Sequence, residues 1–190
     1  MAAERQGVVE RRYVGLFEKL GLSILNRSEP AIEPVPTPED PQAVLAPVTG
    51  RLVALGDVSD PAFSQGMLGT GVGIKPEGNV AFSPVTGTVV AEVKSAHALL
   101  IKAQSGAEVL LHVGLDSVAL HGAGFRQLVR KGDEVRAGVP VLRFDRDLMA
   151  ERGLDDTVVV TVTNPEAFER VEPACAGDEV VAGAVVLRTA

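Results

Sequence analysis

Two histidines stand in apolar surroundings where a valine or leucine would cost nothing: His97 in KSAHALLIKA and His112 in EVLLHVGLDSV. If residues 109–113 form a strand, alternation sets Leu111 and Val113 on one face and Leu110, His112 and Gly114 on the other. An imidazole in such a strand is costly unless it has partners. Gly114 is expected to leave open space beside the ring, where a substrate or a partner's group can approach. Ser95, two residues before His97, shares its face. The QSG turn at 104–106 joins the two segments, so they read as a hairpin with His97 and His112 opposite or nearly so.

Several chemistries are open to two imidazoles and a hydroxyl on one face. Zinc needs more than two ligands, and no third carboxylate stands nearby in the sequence. A serine–histidine hydrolase would need a nucleophile elbow and a carboxylate behind the histidine, and neither pattern is present. Phosphoryl transfer suits the set better. A neutral imidazole is a nucleophile near pH 7, and a second imidazole can donate to the phosphoryl oxygens in an in-line transfer. His121, in the glycine-flanked turn LHGAG, reads as a surface residue.

The elements that must position these groups repeat. APVTGRLVAL (46–55) returns as SPVTGTVVAE (83–92), and GDEVRAGVPVLR (132–143) returns as GDEVVAGAVVLR (177–188). Each couples a glycine turn to an alternating apolar strand. The expected fold is an all-β, internally duplicated antiparallel sandwich or flattened barrel, with short helices around 124–131 and 146–152. Twenty glycines, no tryptophan and abundant valine agree with strands joined by tight turns.

Ahead of this domain, residues 13–26 place Leu16, Phe17, Leu20 and Ile24 on one helical face. Residues 28–43 follow, with five prolines and four acids, and read as an extended linker. The expected division is therefore 1–42, an amphipathic segment and linker, and 43–190, the β domain. The amphipathic segment either docks on the domain or makes a peripheral contact with a membrane surface. The single Cys175 excludes an internal disulfide, and no apolar run reaches transmembrane length, so a cytoplasmic location is expected. A net charge of -7 argues against nucleic acid and favours a basic protein partner.

The stretch GAEVLLHVGLDSVALHGAGF (106–125) resembles the active-site signature of the glucose-type enzyme IIA component of the bacterial phosphoenolpyruvate-dependent sugar phosphotransferase system. Ser117 replaces the usual threonine. The resemblance extends through SAHA at His97, SPVTGTV and DVSDPAFSQGMLGTGVGIKP (57–76), and covers nearly everything from residue 43 onward; GLFEKLG (15–21) is similar to the N-terminus of some members. It implies that His112 accepts a phosphoryl group from the histidine phosphocarrier protein and hands it to a cysteine of a sugar-specific IIB component, itself coupled to a membrane IIC component. It implies that His97 positions the group, with Ser95 where the family usually has threonine. It implies a docking surface of Asp60, Phe63, Val93, Leu110, Gly114 and Asp116, with Val93 and Leu110 where relatives carry phenylalanine. No cofactor and no resident metal are expected.

Relatives of this kind also dock on regulatory targets, so a IIA-shaped binding protein without phosphotransfer is the alternative. Biotinyl and lipoyl carriers share the PVTG and GDEV turns but need a modifiable lysine in a Met-Lys-Met or Asp-Lys setting, which Lys75 lacks. A zinc peptidase of the related duplicated fold would need a His-x-His pair, and Val-Gly follows His112 instead.

Overall fold

The computed structural model describes residues 31–190, and the amphipathic segment expected at 13–26 lies outside them. The β domain is the compact unit Glu33–Ala190. Its strands are β1 (Ala43–Leu45), β2 (Gly50–Ala54), β3 (Thr70–Pro76), β4 (Val80–Phe82), β5 (Gly87–Glu92), β6 (Ala98–Ala103) and β7 (Glu108–Val113). Then follow β8 (Phe125–Gln127), β9 (Glu134–Val135), β10 (Pro140–Phe144), β11 (Val158–Val162), β12 (Val171–Pro173), β13 (Glu179–Val180) and β14 (Val185–Thr189). Two short α-helices interrupt them, α1 (Pro61–Ser64) and α2 (Arg146–Glu151).

The expected duplication appears in the strand order. The large sheet runs β13-β2-β3-β11-β7-β6-β5-β9, and two three-stranded sheets run β1-β14-β12 and β4-β10-β8. The PVTG echo places β2 on β5, and the GDEV echo places β9 and β10 on β13 and β14. That substitution reverses the large sheet onto itself and exchanges the two small ones. The pseudo-two-fold axis therefore passes between β7 and β11, whose pairing includes Val159 opposite His112. The strand bearing His112 is thus central in the sheet, supported on both sides.

Alternation explains the core. β7 buries Val109, Leu111 and Val113 while Leu110 and His112 are half-buried on the other face. β11 is different, since all five residues, Val158–Val162, are buried. Its apolar run without alternation is that of a strand covered on both faces. A second, smaller apolar cluster, Val58, Phe63, Leu115 and Val159, lies on the histidine side.

One expected helix is not formed. Residues 125–127 of the segment 124–131 form strand β8, with Phe125 opposite Phe144 of β10. Gly124 precedes it at φ +78°, a left-handed residue that turns the chain where a helix would have to begin. The helix expected at 146–152 is present as α2, with Asp145 capping it through an accepted hydrogen bond from the Leu148 N–H at 3.0 Å.

The C-terminal part of the proline-rich stretch lies along the domain. Val35 donates its N–H to the Gly138 carbonyl at 2.9 Å, and Asp40 pairs with Arg188. Both Gly138 and Gly183, the equivalent turn glycines of the two GDEV echoes, face residues 35–37 so closely that an added Cβ would lie 2.5 Å from Val35 O and 2.3 Å from Pro36 O. One extended strap therefore touches the same turn in both halves.

Candidate functional site

The β6–β7 hairpin forms as expected, in a register that pairs Ala98 with His112. His97 itself sits in the bend just before β6, and the Val113 N–H donates to its carbonyl at 2.9 Å. The two imidazoles meet edge to face, with ring centroids 4.8 Å apart and an interplanar angle of 77°. Ser95 reaches His97 across a turn with Ala96 at φ +59°, and not along a strand, and its Oγ lies 2.9 Å from Nδ1 of His97.

Both histidines are held in the neutral form. Burial pushes His112 down to about 4, and repulsion from His97 when that ring takes a proton acts in the same direction, while Asp60 and the Gly114 backbone pull the other way. Burial also lowers His97, partly offset by the Ser95 backbone carbonyl. Nδ1 of His112 is buried and no group meets it in full hydrogen-bond geometry, although the Gly114 carbonyl acts on the ring from close range.

Helix α1 supplies the wall. Asp60 is its N-cap, its carboxylate accepting the Ala62 N–H at 2.8 Å, and Pro61 takes the first helical position. This cap sets Phe63 edge-on to His112, with ring centroids 5.1 Å apart. Phe63 is only 1% exposed, so it walls the His112 ring and does not form part of an outer docking rim. The space expected beside Gly114 is also filled: a Cβ there would lie 2.0 Å from Met149 Cε and 3.1 Å from Ser117 Cβ. Its bare face turns inward, against the protein. Val93 is exposed, Leu110 half-buried against the Phe63 cluster, and Asp116 exposed in a left-handed turn at φ +54°. His121 is a turn residue, exposed, at φ +50°.

Three large apolar side chains missed in the sequence lie on the same segments. Met67 and Leu68 follow α1, Val118 follows Asp116, and all three are exposed. Large apolar residues in the glycine-flanked loop GMLG and the turn DSVAL were the available signal. Among the described residues, no cluster of three or more His, Cys, Asp or Glu side chains is arranged to hold a metal ion. A groove of about 700 Å³ bounded by Thr88, Lys102, Glu134 and Arg136 lies toward the other end of β6 and contains neither histidine.

Fold and site together define a duplicated antiparallel β domain whose central strand carries one of two facing, neutral imidazoles. Residues 42–168 match the family described as the phosphoenolpyruvate-dependent sugar phosphotransferase system, EIIA 1. The glucose-specific EIIA component of Oceanobacillus iheyensis is 36% identical over 129 residues, covering 68% of this chain and 78% of that protein. The mannose-specific EIIBCA component of Corynebacterium glutamicum is 39% identical over 68% of this chain, which spans only 19% of that longer protein. For the N-acetylglucosamine-specific EIICBA component of Klebsiella pneumoniae the values are 35%, 95% and 28%. The structure of glucose permease IIA from Mycoplasma capricolum matches with a TM-score of 0.69 at 36% identity, over 76% of this chain and 93% of that one. The chain belongs to the EIIA family of the sugar phosphotransferase system, whose members are phosphoryl carriers in sugar uptake.

Proposed function

We propose that His112 accepts a phosphoryl group from the phosphohistidine of the histidine phosphocarrier protein and passes it to a cysteine of a sugar-specific IIB component. The observation that carries this reading is the pair of imidazoles 4.8 Å apart, with His112 neutral at physiological pH. A neutral ring offers a lone pair; since Nδ1 is the buried nitrogen, Nε2 is the attacking atom. The phosphorus–nitrogen bond of the donor breaks as the bond to Nε2 forms. No net oxidation occurs, and no metal is required.

Ser95 holds Nδ1 of His97, which turns the opposite nitrogen to the incoming group. The negative charge that arrives with the phosphoryl group favours protonation of His97, and its Nε2–H then bonds to the phosphoryl oxygens. The acidic chain, with Asp60 acting on His112, Asp116 exposed in the turn after β7, and exposed Val93, Met67 and Val118 on the flanking segments, suits a basic partner that also presents apolar surface.

The test combines phosphoenolpyruvate, enzyme I, the phosphocarrier protein and this protein, read by intact mass. The expected result is one acid-labile phosphoryl group, lost in His112→Ala. His97→Gln is expected to be charged but slow to discharge onto a IIB component. An unlabelled wild type would overturn the reading and favour a binding protein that works without phosphotransfer.

A further inference from the structure

The chain after His112 doubles back sharply. Gly114 at φ +75° and Asp116 at φ +54° are both left-handed, and the reversal returns Ser117 beneath the end of β7. Ser117 is fully buried, and its hydroxyl lies 2.8 Å from the Val113 carbonyl and 3.1 Å from the Gly114 carbonyl. Serine hydroxyls commonly bond to carbonyls three and four residues back within helices. Here the same bonds span a strand end and two left-handed residues, so no helix accounts for them.

The peptide units around Gly114 are fixed from the other side as well. The Gly114 N–H donates to Thr157 O and the Leu115 N–H to Asp155 O, at 2.9 and 2.8 Å. Asp155 is held in turn by Lys75 and by the Thr157 hydroxyl and N–H. With N–H groups pinned to the start of β11 and carbonyls pinned to Ser117, the Gly114 oxygen has little freedom. The Gly114 backbone acts on the His112 ring, and the ring's buried Nδ1 meets no group in full hydrogen-bond geometry.

We propose that Ser117 is a positioning residue for His112: its buried hydroxyl holds the Gly114 carbonyl toward the Nδ1 edge of the ring, and so selects the tautomer whose free nitrogen is Nε2. Ser117 touches neither the ring nor a phosphoryl group; it acts through the backbone. Its effect on transfer rate rests on the phosphoryl-transfer reading, whereas its effect on the ring does not.

The experiment is long-range ¹H–¹⁵N NMR of His112 in the wild type, Ser117→Ala, Ser117→Cys and Ser117→Thr, with thermal unfolding of each. The wild type and Ser117→Thr, which keeps the hydroxyl, are expected to show the proton on Nδ1. Ser117→Ala and Ser117→Cys are expected to show a mixture of tautomers and a lower His112 pKa; Ser117→Cys serves if the alanine variant does not fold. Phosphoryl uptake in the variants with mixed tautomers is expected to slow about tenfold or more, as small misplacements of reacting groups do. An unchanged tautomer and pKa in Ser117→Ala or Ser117→Cys overturns the proposal, whatever happens to melting temperature. A wild type that takes up no phosphoryl group defeats the functional reading alone, because the tautomer is read without it.

Discussion

The carbonyl of His97 accepts the Val113 N–H at 2.9 Å, so the backbone that carries one histidine is bonded to the residue immediately after the other. The 4.8 Å separation of the rings is thus a property of the β6–β7 register and not of two independent loops. Changes at the hairpin end should disturb both imidazoles together.

The histidines make stability depend on acid. The folded pKa of His112, about 4, lies below its ordinary value of 6.5, so between these limits the unfolded chain binds more protons than the folded one. Stability is then fully present above about pH 6.5 and falls as pH drops toward 4, by up to roughly 3 kcal/mol for this ring. His97, also lowered, adds loss of the same sign. Urea unfolding at a series of pH values should show this slope, and His112→Gln should flatten it.

Phe63 couples packing to chemistry. It is buried, anchors the smaller apolar cluster and stands edge-on to His112. Phe63→Ala should cost about 3–4 kcal/mol as a core truncation. It should also admit water to the ring, and since burial is the largest cause of the low His112 pKa, that value should rise toward 6.5. NMR titration of the histidine carbon protons checks the second effect separately from the first. An unmoved pKa would mean that other residues exclude water from the ring.

Gly114 shows what the sequence could and could not disclose. Its place on the histidine face follows from simple alternation, and so do the hairpin, the half-burial of Leu110 and His112, and the duplicated strand pairs. Alternation reports which face a residue is on, but not what the opposite element brings there. The Met149 side chain from α2, distant in sequence, fills the space that glycine leaves. The same limit applies to 125–127, where pairing of Phe125 with Phe144 overrides a locally helical pattern, and to Ser117, whose bonds depend on two left-handed residues, one of which, Asp116, is not a glycine and so gives no sign of it.

Gly114→Ala should therefore be severe. The added Cβ must displace Met149 Cε, and φ +75° strains any side chain. Together these should cost about 2–4 kcal/mol. Met149→Ala in the Gly114→Ala background relieves the clash but not the backbone strain. Its thermal unfolding, compared with that of each single variant in a double-mutant cycle, should show positive coupling. Additive losses would place the whole cost in the backbone.

The strap at residues 35–42 separates stability from site chemistry. It bonds to Gly138, packs on Gly183 and pairs Asp40 with Arg188, tying the equivalent turns of the two halves. Asp40 and Pro41 lie beside Thr86, Ala103 and Gln104, at the end of β6 away from His97. A chain beginning at Gln42 should therefore melt at a lower temperature. Its His112 titration and phosphoryl uptake, measured well below the melting transition, should match those of the full chain, because β6 and β7 and their register with β11 remain complete. A changed His112 titration in the shortened chain would show that the strap's hold on the two turns is transmitted along β6 to the histidine pair.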